Sequence, residues 1–308
     1  MGKPLDYNAT LIERIDNTSA LAVFKIRPDE PVPDFVPGQY MTLGLNNEER
    51  PELGSVRRPM SIASAPEERE ALEFYIRYVS HPESENPLTH LLWKSRETDR
   101  IFLRNKPVGT FTVADTVGDD DPRLKVFVAA GTGLAPFISI VRSRHLRDPG
   151  ADLSEYVILH GASYPDDLGY RAELEGYGES GLRYLCSISR PAEVPDWSGD
   201  GGRVEAYFRP DRLGDLEERL GLGAGGLVPA RAAVYICGLQ GTISETLCNL
   251  VPRGFVPDNR KIRRALEVPD EVPASLFFEQ YDATPVIAID DPDVMEPLRA
   301  ALRAALGL

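Results

Sequence analysis

With 308 residues, 42% of them hydrophobic, the chain is long enough for two domains that each bury a core. A formal net charge of −14 argues against general nucleic-acid binding. The three cysteines (Cys186, Cys237 and Cys248) lack C-x-x-C spacing, and the four histidines are scattered singly. A disulfide framework, an iron–sulfur cluster and a zinc or di-iron site are therefore not expected.

No apolar run approaches the length of a membrane span, and "MGKPLDYNATLIERID" lacks the apolar centre of a signal peptide. A reducing, cytoplasmic location without a membrane partner is the expectation. In chain order, "ATLIERIDNTSALAVFKIRP" predicts two short strands, and "PVPDFVPGQYMTLGL" a Pro/Gly-rich turn feeding a third. "RRPMSIASAP" and "ALEFYIRYV" alternate apolar with polar residues, as half-buried strands do. Such closely spaced strands predict a small antiparallel barrel. One helix interrupts them, "NPLTHLLWKSR", with Asn86 expected as N-cap and Pro87 as the first helical residue. "GDDDPR" (Gly118–Arg123) reads as a linker.

Beyond it the rhythm changes to strand–helix alternation. Strands are predicted at Lys125–Ala130, Tyr156–Gly161, Leu182–Ser189, Ala233–Cys237 and Leu276–Asp282. Helices are predicted at Ala135–Leu146, Leu168–Glu175, Asp211–Leu220 and Thr242–Leu250. That pattern implies a five-stranded parallel sheet covered by helices on both faces. The tail "DDPDVMEPLRAALRAALGL" predicts one capped helix with an apolar stripe at Met295, Leu298, Leu302 and Leu306. Such a stripe suits either packing on its own domain or a dimer contact, and the oligomeric state stays open. The expected division is residues 1–119, 120–284 and a helical extension over 285–308.

Ligands of parallel α/β sheets bind at the carboxyl ends of the strands. Two sharp glycine turns fall there, Gly131-Thr132-Gly133 and Cys237-Gly238. A glycine turn between strand and helix suits a phosphate at the helix N-terminus. Yet the third glycine of a dinucleotide fingerprint is missing, and no Lys-Ser/Thr pair follows. In the first half, Arg57-Arg58-Pro59-Met60-Ser61 opens a strand with two guanidinium groups and a residue that cannot donate to a ladder. Proline places this stretch at a sheet edge or against a ligand, and arginine forks suit a diphosphate. A surface Arg pair ahead of an ordinary strand fits the same five residues. Cys237, after four apolar residues, is by itself a small core hydrophobe.

Taken together, "PGQYMTLGL", "RRPMS", "VGTFTV", "GTGLAPF" and the Cys-Gly pair, in this order over roughly residues 8–284, resemble the ferredoxin–NADP reductase family of flavoproteins. The resemblance implies an N-terminal FAD-binding barrel and a C-terminal NADP-binding α/β domain. It implies hydride transfer between NADPH and the flavin N5, and single-electron exchange with a ferredoxin or flavodoxin. In that family Arg58 binds the FAD pyrophosphate, Pro59 and Met60 continue the flavin-holding strand, and Ser61 hydrogen-bonds near N5. Met60 replaces a frequent tyrosine of the family. Tyr75, Arg77 and Val79 match the segment along the isoalloxazine edge and adenosine half, and Leu88 and Thr89 the helix start at the FAD phosphates. Gly131, Thr132, Gly133 and Pro136 match the turn that holds the NADP pyrophosphate. Ser189-Arg190 and Arg203 resemble the clamp on the 2′-phosphate, with Ser163 where some relatives carry a further arginine. Cys237 and Gly238 correspond to the residues beside nicotinamide. Glu279 and Tyr281 match an acid and a flavin-stacking aromatic, although this chain continues past Tyr281 to Leu308. Cys186 and Cys248 carry no motif and read as structural.

An acidic electron carrier needs a positive landing site. "RGFVPDNRKIRRAL" concentrates Arg253, Arg260, Lys261, Arg263 and Arg264, to which Arg104 and Lys106 add. A solvated helix face accounts for the same charges. Two other readings remain: a cluster-free reductase component of an oxygenase, and a non-catalytic nucleotide-binding module of the same fold.

Overall fold

The computed structural model describes residues 4–281 and 283–308. By internal contacts the chain forms two compact units. One comprises residues up to Asp115 together with Leu134–Ala151, and the other Thr116–Gly133 with Asp152–Leu308.

The first unit is built on β1 (Ala9–Thr18), β2 (Leu21–Pro28), β3 (Tyr40–Asn46), β4 (Ser55–Ser61), β5 (Leu72–Arg77), helix α1 (Leu88–Lys94) and β6 (Arg100–Val108). The strands pair antiparallel in the order β4-β3-β6-β1-β2-β5. The sheet closes where Ile62 bridges Phe74 and the Ala63 N–H donates to the Glu73 carbonyl at 2.9 Å. Its interior holds Leu11, Phe24, Ile26, Met41, Leu43, Phe74 and Leu103, all fully buried. Strand β4 is an edge, so Pro59 removes a donor where no ladder partner is needed.

Asn86 does not cap α1. Pro87 holds the N-cap position without a side-chain bond. The Asn86 amide is engaged elsewhere, accepting from Asn47 Nδ2 at 2.9 Å and donating to the Leu53 carbonyl at 3.4 Å. A short helix α2 (Val113–Thr116) follows β6, and the strand β7 (Leu124–Ala130) and helix α3 (Ala135–Arg147) come next. Helix α3 is buried at every residue from Ala135 to Ser143. It is tied to the barrel by Ser139 Oγ, which donates to the Ser64 carbonyl at 2.7 Å. Arg142 Nη1 lies 2.9 Å from Glu73 and 3.2 Å from Glu68.

The second unit contains β7, β8 (Tyr156–Ala162), α4 (Arg171–Gly176), β9 (Arg183–Ile188), β10 (Asp200–Gly201), α5 (Pro210–Arg219), β11 (Ala232–Gly238), α6 (Gln240–Leu250), α7 (Arg260–Ala265), β12 (Leu276–Gln280) and α8 (Pro292–Leu306). The order β10-β9-β8-β7-β11-β12 is parallel throughout. The five expected strands are joined by the two-residue β10, too short for sequence periodicity to mark. Asp282, the expected end of the last strand, lies outside the described residues. The helix expected from Leu168 starts only at Arg171, because Tyr170 has a left-handed φ of 59° that no right-handed helix accommodates.

Helix α8 is capped by the Asp291 side chain, which accepts from the Asp293 N–H. Met295, Leu298 and Leu302 are buried in the core of the second unit and Leu306 packs against it, so the stripe covers its own unit. Among the described residues no helix is long and apolar enough to cross a membrane.

Candidate functional site

In the second unit the parallel register brings the ends of β7, β11 and β12 together. Cys237 lies opposite Ala129 on one side and Glu279 on the other. At the end of β7 the chain turns at Gly131, whose φ is +56°. Gly133 then sits against the backbone of β11: a Cβ there would lie 2.0 Å from the Cys237 carbonyl oxygen, so no side chain fits. A Cβ on Gly238 would meet the Ala130 Cβ at 2.9 Å. The two glycine turns pack directly on one another as one cradle, because neither glycine carries a side chain to hold them apart. That geometry suits close backbone approach to a phosphate or a flat ring.

Tyr281 closes one rim. Its hydroxyl donates to the Thr132 carbonyl at 3.2 Å, its N–H to the Gly238 carbonyl at 3.3 Å, and its side chain is 45% exposed. Cys237 is fully buried. Burial, then the neighbouring Glu279 charge, push its thiol well above the ordinary range, with the Tyr281 hydroxyl opposing. A neutral thiol is a poor nucleophile.

His160, which sequence reasoning passed over, stands beneath this turn. It is fully buried on β8, with Nδ1 3.0 Å from the Tyr184 hydroxyl. Burial lowers its pKa to about 4, and the Gly131 backbone opposes the shift. The imidazole is thus neutral at physiological pH. A polar residue inside the apolar run "YVILHGA" was the available signal.

Arg190 and Arg203 follow β9 and β10, which are neighbours with Ser187 opposite Asp200 and Ile188 opposite Gly201. Both are exposed at the carboxyl edge of the sheet. Ser163 is half-buried just beyond the end of β8. Cys186 and Cys248 are half-buried free thiols, each raised by burial.

In the first unit, Arg58 and Pro59 are exposed on the edge strand, and Arg58 Nη1 donates to the Arg57 carbonyl at 2.8 Å. Met60 is half-buried against the barrel core, and Ser61 is buried. An edge strand carrying two exposed guanidinium groups fits a diphosphate. Val79 meets the start of α1: its N–H donates to Thr89 Oγ1 at 3.3 Å, and His90 Nε2 lies 2.8 Å from its carbonyl. Arg77 and Val79 are exposed, whereas Tyr75, Leu88 and Thr89 are buried, so Tyr75 presents almost no surface to a ligand. Pro136 is buried in the first turn of α3, where proline is tolerated.

A six-stranded antiparallel barrel with an Arg-Pro edge strand, and a parallel α/β unit with paired glycine turns at its strand ends, define the class of two-unit nucleotide-dependent flavin oxidoreductases. The family model described as "Oxidoreductase NAD-binding domain" matches residues 127–246. Ferredoxin–NADP reductase B of Sorangium cellulosum is 32% identical over 193 residues, covering 62% of this chain and 70% of that protein. Ferredoxin–NADP reductase of Azotobacter vinelandii is 28% identical over 247 residues, covering 75% and 86%. A Neisseria gonorrhoeae ferredoxin NADP⁺ reductase, solved with bound FAD and NADP, shares the fold with a TM-score of 0.70 at 22% identity, over 89% of this chain and 97% of that one. The chain belongs to the ferredoxin–NADP reductase family and is an oxidoreductase.

Proposed function

We propose that the protein is a ferredoxin(flavodoxin)–NADP reductase, exchanging hydride between NADPH and FAD and single electrons between FAD and an acidic electron carrier. Residues 1–119 are assigned to FAD, 120–284 to NADP, and 285–308 to a helical extension. Bound FAD supplies the conversion between two-electron and one-electron transfer. The chain's own residues bind and orient. Arg58 holds the FAD pyrophosphate, Ser61 provides a hydroxyl near flavin N5, and Val79 with Leu88 and Thr89 anchors the phosphate and adenosine side. Gly131, Thr132 and Gly133 receive the NADP pyrophosphate, and Cys237 and Gly238 shape the place for nicotinamide, with Glu279 and Tyr281 at its rim. Arg190 and Arg203 take the 2′-phosphate. The observation that supports this reading is the seat of Gly133 on the Cys237 carbonyl, which brings the two glycine turns together at the carboxyl ends of β7 and β11.

The proposed landing site for the carrier is smaller than the basic run suggests. Arg253 pairs with buried Glu217 and donates to the Leu227 carbonyl. Arg263 donates to the carbonyls of Pro269 and Val272. Arg260, Lys261 and Arg264 stay exposed on α7.

The test is a visible spectrum of the purified protein, taken anaerobically before and after stoichiometric NADPH or NADH. A flavin spectrum bleached promptly by NADPH and slowly by NADH is expected. A protein that takes up no FAD on reconstitution refutes the reading. Charge reversal at Lys261 and Arg264 is expected to weaken ferredoxin reduction while NADPH–ferricyanide turnover is retained.

A further inference from the structure

Both arginines assigned above to the 2′-phosphate stand beside a carboxylate. The Arg190 guanidinium carbon lies 5.4 Å from the Tyr164 ring centroid, and Nη1 donates to the Tyr164 hydroxyl at 2.8 Å. That hydroxyl in turn donates to Glu193 Oε2 at 2.6 Å. One phenol oxygen therefore accepts from the cation and gives its only proton to the anion. Glu193 ends the single turn Pro191–Glu193 that directly follows Arg190, so the carboxylate is held near by the chain itself. At the neighbouring strand end, Arg203 Nη1 lies 4.0 Å from Oε1 of buried Glu205.

We propose that Glu193 is a specificity-determining residue. Through Tyr164 it holds Arg190 in position, and its negative charge weakens the preference for a 2′-phosphorylated nucleotide over one with a free 2′-hydroxyl. The inference rests on the assignment of Arg190 to the 2′-phosphate. A phosphate monoester carries nearly two negative charges at neutral pH, so a carboxylate one side chain away from its arginine repels it. A nucleotide without that phosphate is indifferent to the same charge. Selectivity is the difference between the two affinities, and Glu193 acts on one alone. Its two roles separate chemically: glutamine keeps an oxygen acceptor for Tyr164 but removes the charge.

The experiment is calorimetric titration of the FAD-loaded protein with adenosine 2′,5′-bisphosphate and with 5′-AMP. Glu193→Gln is expected to tighten the bisphosphate roughly 3- to 5-fold, the scale of screened repulsion across several ångströms of water, and to leave 5′-AMP unchanged. Tyr164→Phe, which cuts the relay, is expected to weaken the bisphosphate alone. Steady-state KM values for NADPH and NADH should follow the same split at constant kcat. An unchanged bisphosphate Kd in Glu193→Gln, or an equal shift for both ligands, overturns the proposal. Arg190→Ala separates the two ideas: if it leaves the ratio of the two Kd values unaltered, the 2′-phosphate assignment falls. If it collapses the ratio while Glu193→Gln does nothing, only the role of Glu193 falls.

Discussion

Two glycine-to-alanine substitutions in the cradle and a third in α5 as a control are graded by simple steric expectation. At Gly133 the new Cβ would lie 2.0 Å from a backbone oxygen, that of Cys237. Relief requires the turn or the end of β11 to move by about 1 Å, and overpacking of this kind costs typically ~1–3 kcal/mol. Because the obstacle is backbone in mid-sheet, the upper part of that range applies, with a melting temperature lower by roughly 5–10 °C. A displacement of about 1 Å at the nucleotide turn is also expected to cost on the order of 100-fold in kcat/KM for NADPH. At Gly238 the contact is 2.9 Å to the Ala130 Cβ, which needs a shift of a few tenths of an ångström. There the loss should stay below about 1 kcal/mol and roughly tenfold in kcat/KM. Gly214 lies in the middle of α5 with nothing within 4 Å, so alanine there should stabilise by about 0.5–1 kcal/mol. Thermal melts and NADPH–ferricyanide kinetics on the three holoproteins report both quantities. A Gly133→Ala protein with unaltered melting temperature and KM for NADPH would refute the cradle geometry.

Two further substitutions probe each unit by itself. His160 has a folded-state pKa of about 4 against an ordinary 6.5, so the unfolded chain binds its proton more tightly. Its contribution to stability is complete above about pH 6.5 and is lost as pH falls towards 4, by roughly 3 kcal/mol in all. A non-titrating His160→Gln should flatten the fall in melting temperature between pH 7 and 5, and an unaltered slope would contradict the burial argument. In the first unit, Arg142→Met takes away the guanidinium 2.9 Å from Glu73, which is 8% exposed and has Lys25 at 3.6 Å. Loss of about 2–4 kcal/mol is expected, since removing one partner of a buried ion pair is costly. Denaturant titration checks it, and a variant as stable as the parent would show that the pair contributes nothing.

Much of the architecture was legible without coordinates, because it rests on local physics. The closely spaced short strands of the first half and the continuous apolar runs of β7 and β11 separate an antiparallel barrel from a parallel sheet buried on both faces. "ALEFYIRYV" reads as half-solvated, whereas β5 is buried from Leu72 to Ile76. Proline among two arginines marked β4 as an edge. The misses were local events with tertiary causes. Asn86 had the residue type of a cap but gave its amide to Asn47 and Leu53. Tyr170 broke a helix that periodicity extended, and β10 was too short to register.

The site divides along the same line. Residue type and order carried the resemblance to a nucleotide-binding flavoprotein family, and with it the proposed roles of the glycines, the arginines and the cysteine, since such side chains, or their absence, are what phosphates and rings demand. Only the folded chain decided that Gly133 rests on the Cys237 carbonyl, that Tyr281 reaches Thr132, and that His160 lies buried and neutral below Gly131. It also decided that Glu193 reaches Arg190 through Tyr164, a residue 26 positions earlier. Such contacts join positions distant in the chain through strand register and burial, and neither quantity is carried by any single stretch of sequence.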